Sequence, residues 1–178
     1  MHSESDTRVS RREALKHGAL AGGACLSNCL FGSGVAVVFG QSPERDLTIL
    51  SAALYLEHEA IAAYEAGAGS GLLSTDVLAV ASAFMSDHQY HRDGIAGVIQ
   101  TLGQTPAAAK QRYRFGRLRD ANDILTLALR LESGAAAAYR TLASSVQNKD
   151  VLGFAAHVLV DEVRHATVLR GVLDLRNY

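Results

Sequence analysis

From Pro43 onward, apolar residues recur every three or four positions in four long segments. In the first segment, Leu50, Leu54 and Ile61 fall on one face of a helix. The segments span about residues 43–66, 74–102, 120–147 and 150–175. Each is long enough for a helix of roughly 30 Å. The pattern therefore predicts an all-α protein built from four amphipathic helices.

The links between the segments predict how the helices are connected. The link 67–73 and the link before the fourth segment are short, so each pair of helices should form an antiparallel hairpin. The link 103–119 is long and should cross from one hairpin to the other. We therefore expect a four-helix bundle of two hairpins joined by one long crossover.

The first and third helices repeat each other in sequence. A Leu-Tyr-Leu-Glu run ends at Glu57, and Tyr64 follows seven residues later. A Leu-Arg-Leu-Glu run ends at Glu132, and Tyr139 follows at the same spacing. Both glutamates lie among apolar residues, where an unpartnered carboxylate is costly and normally pairs or binds metal.

The second and fourth helices repeat each other as well. Residues 87–91 read DHQYH and residues 161–165 read DEVRH. Glu162 and His165 are three positions apart and share a helix face. Glu and His are common ligands of divalent metal ions. The repeat favours a metal site at mid-bundle, and a buried hydrogen-bonded pair is the alternative for Glu162 and His165.

This arrangement resembles the ferritin-like di-iron carboxylate superfamily over about residues 45–176. The resemblance is to exported bacterial ferritin-like domain proteins of the rubrerythrin and desiccation-related type. It implies a ferritin-like four-helix bundle with iron as the cofactor, and leaves manganese or zinc open. The implied metal ligands are Glu57, His91, Glu132, Glu162 and His165, and His88 is a further candidate. Tyr64 and Tyr139 are expected to hydrogen-bond beside the ligands.

His88 departs from the superfamily pattern, which has Glu at this position. With three carboxylates, a site for two divalent ions keeps a positive charge. Asp87 cannot substitute, because it lies about 100° around the helix. The number of ions therefore stays open between one, a hydroxide-bridged pair and none. For His88 and His91, a partly exposed polar face is the alternative to metal binding.

The first 40 residues have the composition of an export signal. Residues 10–16 read SRREALK, which resembles the twin-arginine signal, and an uncharged Gly- and Ala-rich stretch follows. We expect residues 1–40 to be this signal and residues 41–178 to be the bundle. The expected partner is then the twin-arginine translocation machinery and the location the periplasm, with membrane anchoring if the signal stays uncleaved. A basic tail before a membrane helix is the alternative.

Composition narrows the function further. Both cysteines, Cys25 and Cys29, precede the bundle, so cysteine catalysis, thiolate zinc sites and a rubredoxin-like module are excluded from it. The formal net charge of −1 argues against nucleic-acid binding, and the basic run at 110–119 is interpreted as a solvated loop.

Two functions remain open for the bundle. The resemblance implies an oxidoreductase of the ferroxidase or peroxidase type that reacts with oxygen or peroxide and protects against stress. The alternative is a non-enzymatic bundle with a degenerate metal site. A small oligomer such as a homodimer is expected rather than a ferritin cage.

Overall fold

The computed structural model describes residues 43–146 and 148–176, which form four α-helices without a strand. The helices are α1 Pro43–Ala68, α2 Thr75–Thr101, α3 Ala121–Ser145 and α4 Lys149–Arg176. The all-α prediction is confirmed, and no helix end differs from its predicted position by more than two residues. The expected export signal lies outside the described residues.

Local chemistry explains where the helices begin and end. The side chain of Asp120 accepts a hydrogen bond from the Asp123 backbone N–H at 2.9 Å and caps α3. Asn148 Oδ1 accepts from the backbone N–H of Asp150 and of Val151 at the start of α4. After α2, Gly103 adopts a φ of +78°, which only glycine tolerates well, and reverses the chain.

The helices pack as two hairpins, α1 against α2 and α3 against α4. The hairpins meet mainly where α1 lies beside α3, and α2 and α4 approach each other least. Among the described helices, none combines the length and apolarity that crossing a membrane requires.

Two clusters of apolar side chains fill the bundle on either side of its middle. The first apolar cluster comprises Leu50, Ala53, Leu54, Ile95, Ile99, Ala135, Tyr139, Leu142, Val151, Ala155 and Val158. The second apolar cluster comprises Tyr64, Ala81, Phe84, Leu125, Ala128 and Leu169. Buried charged and polar side chains occupy the space between them, as the duplicated sequence predicted for mid-bundle.

Candidate metal centre

Six titratable side chains meet between the two apolar clusters, and none is more than 1% exposed. Every helix contributes, because the repeated hairpins place their polar positions at the same height. The six are Glu57 of α1, His88 and His91 of α2, Glu132 of α3, and Glu162 and His165 of α4. The structure thus brings all six predicted ligands into one buried cluster.

Four of these side chains form a first donor group around Glu57. His88 Nδ1 lies 2.8 Å from Glu57 Oε2 and 3.7 Å from Glu162 Oε1. His91 Nδ1 lies 3.7 Å from the same Glu57 oxygen and 3.4 Å from the same Glu162 oxygen. All four donor atoms lie within 4.8 Å of one another.

A second donor group surrounds Glu132 and shares His88 and Glu162 with the first. His88 Nε2 lies 3.1 Å from Glu132 Oε1, and His165 Nδ1 lies 3.3 Å from Glu132 Oε2. The two donor groups correspond to the two halves of the sequence repeat. One group has the glutamate of α1 with the histidine of α2, and the other has the glutamate of α3 with the histidine of α4.

Glu162 belongs to both donor groups, and its carboxylate could accept further hydrogen bonds or bind an ion. Both of its carboxylate oxygens are buried and have no hydrogen-bond partner among the described residues. His91 Nδ1 is likewise unpartnered there, since its approach to Glu162 lacks hydrogen-bond geometry. Unpartnered buried polar atoms are rare, and a bound ion would satisfy these.

The tyrosines of the repeat hold the two outer glutamates. Tyr64 of α1 donates a hydrogen bond to Glu132 Oε1 on α3, and Tyr139 of α3 donates to Glu57 Oε1 on α1. Each tyrosine therefore serves the glutamate of the other hairpin. This leaves the second oxygen of each glutamate directed at a histidine.

Two aspartates lie beside the histidines of the cluster, and their role was not predicted from the sequence. Asp87 Oδ2 lies 3.0 Å from His165 Nε2, and Asp161 Oδ2 lies 3.3 Å from His91 Nε2. Arg164 pairs with both aspartates, at 2.7 and 3.1 Å. The sequence did contain a signal for this role, because an Asp stands four residues before His91 and before His165. Each aspartate nevertheless serves the histidine of the opposite helix.

Comparison with known protein families identifies the domain. The family model for the ferritin-like domain matches residues 45–175. The chain belongs to the ferritin-like domain family. No curated protein matches it.

Solved structures confirm the ferritin-like four-helix fold. A conserved hypothetical protein of Mycobacterium tuberculosis has a TM-score of 0.70 and 26% identity, with 75% of this chain and 100% of that chain covered. A ferritin-like, diiron-carboxylate protein of Bacillus anthracis has a TM-score of 0.67 and 21% identity, covering 76% and 99%. Bacterioferritin of Rhodobacter capsulatus, solved with a metal-free dinuclear site and haem iron, has a TM-score of 0.66 and 20% identity, covering 78% and 89%.

The donor atoms of this ferritin-like domain fit a divalent metal ion. Ligands bound at 2.0–2.1 Å in a tetrahedron lie about 3.3 Å from one another. The four nitrogen–oxygen distances between the histidines and glutamates of the first donor group range from 2.8 to 3.7 Å around that value. Imidazole with carboxylate suits iron, manganese and zinc.

Without metal, protons neutralise the cluster. Burial alone would lower the pKa of His88, but hydrogen bonds to Glu132 and Glu57 outweigh it and raise the pKa to about 11. Burial also opposes protonation of His91, whose contacts with Glu162 and Glu57 raise its pKa to about 10. Both imidazoles are therefore positively charged at neutral pH in the metal-free protein.

The three glutamates of the cluster differ in the direction in which their pKa is shifted. Despite burial, which acts to raise them, the histidines hold the pKa values of Glu57 and Glu132 below the usual range. Burial raises the pKa of Glu162 to about 8, although His91 opposes the rise. Glu162 therefore keeps its proton to a higher pH than Glu57 and Glu132, whose negative charges face the two imidazolium groups.

The burial of His88 and His91, at 1% and 0% exposure, shows that the alternative of a partly exposed polar face is wrong. A direct pair of Glu162 and His165 is not formed either, since Glu162 has no hydrogen bond among the described residues.

Proposed function

We propose that this ferritin-like domain binds divalent metal ions at its centre, with iron as the resident metal. The observation that carries the proposal is Glu162, whose two buried oxygens are unpartnered and shared by both donor groups. Its carboxyl group lies where one ion on each side would satisfy it. Manganese and zinc suit the same donor set.

We further propose an oxidoreductase of the ferroxidase or peroxidase type, related to the rubrerythrin and desiccation-related proteins and serving in stress protection. Bound ferrous iron would supply the electrons for the reduction of oxygen or peroxide. The chain's own contribution is to fix the ligands: Tyr64 and Tyr139 orient the glutamates, and the apolar clusters on either side exclude water.

Metal analysis tests this proposal directly. The full-length chain is purified without added metal or a histidine tag, and its iron, manganese and zinc are quantified. Glu162→Gln should lose the metal, whereas Glu65→Gln, an exposed position on α1, should retain it. Metal-loaded protein should then consume oxygen or peroxide when supplied with ferrous iron. A chain that takes up none of the three metals contradicts the proposal.

A non-enzymatic bundle is the second candidate, and His88 favours it. His88 contacts both Glu57 and Glu132, so those two carboxylates are satisfied without any metal ion. A structural bundle should be equally stable in urea with a chelator and with added metal. A metal-binding domain should be more stable with metal, because the ion binds only the folded state.

We also propose that the protein is exported through the twin-arginine pathway to the periplasm. The proposal rests on the SRREALK sequence at residues 10–16 and on the uncharged stretch that follows. Replacing Arg11 and Arg12 by lysine should leave the protein in the cytoplasm in cell fractionation. Unchanged export of the doubly substituted protein would show that another route is used.

A further inference from the structure

His88 directs both of its ring nitrogens into the cluster. Nδ1 lies 2.8 Å from Glu57 of α1, and Nε2 lies 3.1 Å from Glu132 of α3. The ring is 1% exposed and belongs to both donor groups. His88 therefore stands between the two positions at which metal ions would bind.

The other two histidines are arranged differently. His91 and His165 each turn Nδ1 toward the cluster, and each turns Nε2 outward to an aspartate. An aspartate on Nε2 fixes the proton there and leaves a single nitrogen for a metal ion. Of the three, only His88 has two nitrogens that face donor groups.

We propose that His88 bridges two metal ions, with one ion bound to each ring nitrogen. This inference rests on the proposed function, because it requires that the centre binds metal. Nitrogen–metal bonds form on both sides of the ring, and the two N–H bonds of the metal-free His88 imidazolium break with release of both protons to solvent. No electron is transferred in this step.

The charges of the cluster support the bridge. Two divalent ions carry four positive charges, while the three glutamates of the cluster supply three negative charges. An imidazole that binds metal through both nitrogens has lost its ring proton and supplies the fourth. His88 can thereby give the loaded centre the neutrality that a low-dielectric interior requires.

The bridge determines how far apart the ions lie. With metal–nitrogen bonds of 2.0–2.1 Å on opposite sides of one ring, the ions are about 6 Å apart. Ions in the usual two-metal sites are about 3.5–4 Å apart. The separation of the ions therefore distinguishes a His88 bridge from a pair joined only by Glu162 or a hydroxide.

A crystal structure of the full-length chain saturated with zinc, with anomalous scattering measured at the zinc edge, tests the inference. We expect two ions about 6 Å apart with the His88 ring between them. One ion per chain, or a pair about 3.5–4 Å apart, would overturn the bridge and leave the proposed metal site standing. A protein that binds no zinc, manganese or iron would overturn both.

Variants give an independent test in solution. Copper(II) ions bridged by one imidazole ring couple magnetically, so the wild-type EPR intensity should be well below that of the same amount of isolated copper. His88→Gln should abolish the coupling, and His157→Gln, at an exposed position on α4, should preserve it. His88→Glu should keep two ions, with their separation shortened to about 3.5–4 Å. Undiminished coupling in folded His88→Gln protein would contradict the role of His88.

Discussion

His91 and His165 owe their orientation to carboxylates that lie outside the donor groups. Asp161 and Asp87 accept from the Nε2 atoms of these rings, which leaves Nδ1 free to face the glutamates. Phe84 stacks on the His165 ring at a centroid distance of 3.9 Å and limits its rotation. Both rings are thus oriented without a bound ion, which would reduce the entropy lost on metal binding.

Removing one orienting carboxylate should weaken metal binding. We expect Asp87→Asn to lower metal affinity about 10- to 100-fold, because His165 loses the acceptor that fixes its tautomer. The affinity is measured by titration against a chelator of known strength. Asp93→Asn, on the same helix but paired with Arg92 at the surface, is the control. Equal affinities of the two variants would refute the role of Asp87.

The sequence repeat was enough to predict that the six side chains of the cluster lie together, because duplicated hairpins place equivalent residues at equivalent heights. It could not predict the pairing of Asp87 with His165. In the sequence Asp87 stands four residues before His91, on its own helix. The actual partner depends on the lateral distance between α2 and α4, which only tertiary packing sets.

Helices α2 and α4 carry all the histidines of the cluster, although they contact each other less than the other neighbouring helices do. Their approach is close at Gly94 of α2, which faces Phe154 of α4. A Cβ atom at Gly94 would lie 2.5 Å from Phe154 Cε2 and 2.6 Å from Cζ. Phe154 packs against the first apolar cluster, so it cannot move away without losing that contact.

The glycine should therefore be required for this contact. We expect Gly94→Ala to lower the free energy of unfolding by about 1–2 kcal/mol, because overpacking outweighs the gain in helix propensity. Gly97→Ala is the matched control on the same helix, since its Cβ would meet nothing within 4 Å. It should raise stability by up to about 1 kcal/mol. Urea unfolding measures both, and a stabilised Gly94→Ala protein would refute the close contact.

The ends of the helices were predictable because local signals set them. Gly103, Asp120 and Asn148 stop or start helices through their own backbone and side-chain chemistry. The contact of Gly94 with Phe154 was not predictable, since a glycine within a helical pattern reads only as a weak position. Glycine is needed at position 94 because of Phe154, which lies sixty residues away in the sequence.

Protons bound to the buried cluster link the stability of the whole metal-free molecule to pH. The carboxylates that face His88 and His91 are Glu57 of α1, Glu132 of α3, and Asp161 and Glu162 of α4. The other titratable rings beside them are Tyr64, Tyr90 and His165. Unfolding would release both imidazolium groups from these carboxylates and let them titrate normally.

The metal-free protein should lose stability as pH rises above about 6.5. The pKa of His88 is raised to about 11 and that of His91 to about 10, from 6.5 in the unfolded chain. Their contribution is therefore complete below pH 6.5 and is lost as the pH approaches 10–11. The raised pKa of Glu162, about 8, acts in the same direction between pH 4.5 and 8. Each proton held only by the folded state changes stability by at most about 1.4 kcal/mol per pH unit.

Urea unfolding at pH 7, 8 and 9 in the presence of a chelator measures this loss. The metal-saturated protein is the control, because bound ions replace the protons and should flatten the dependence on pH. His88→Gln removes one of the two imidazolium groups, so the metal-free variant should depend less steeply on pH than the wild type. Equal stability of the metal-free wild type at pH 7 and pH 9 would show that the histidines are not held protonated by the glutamates around them.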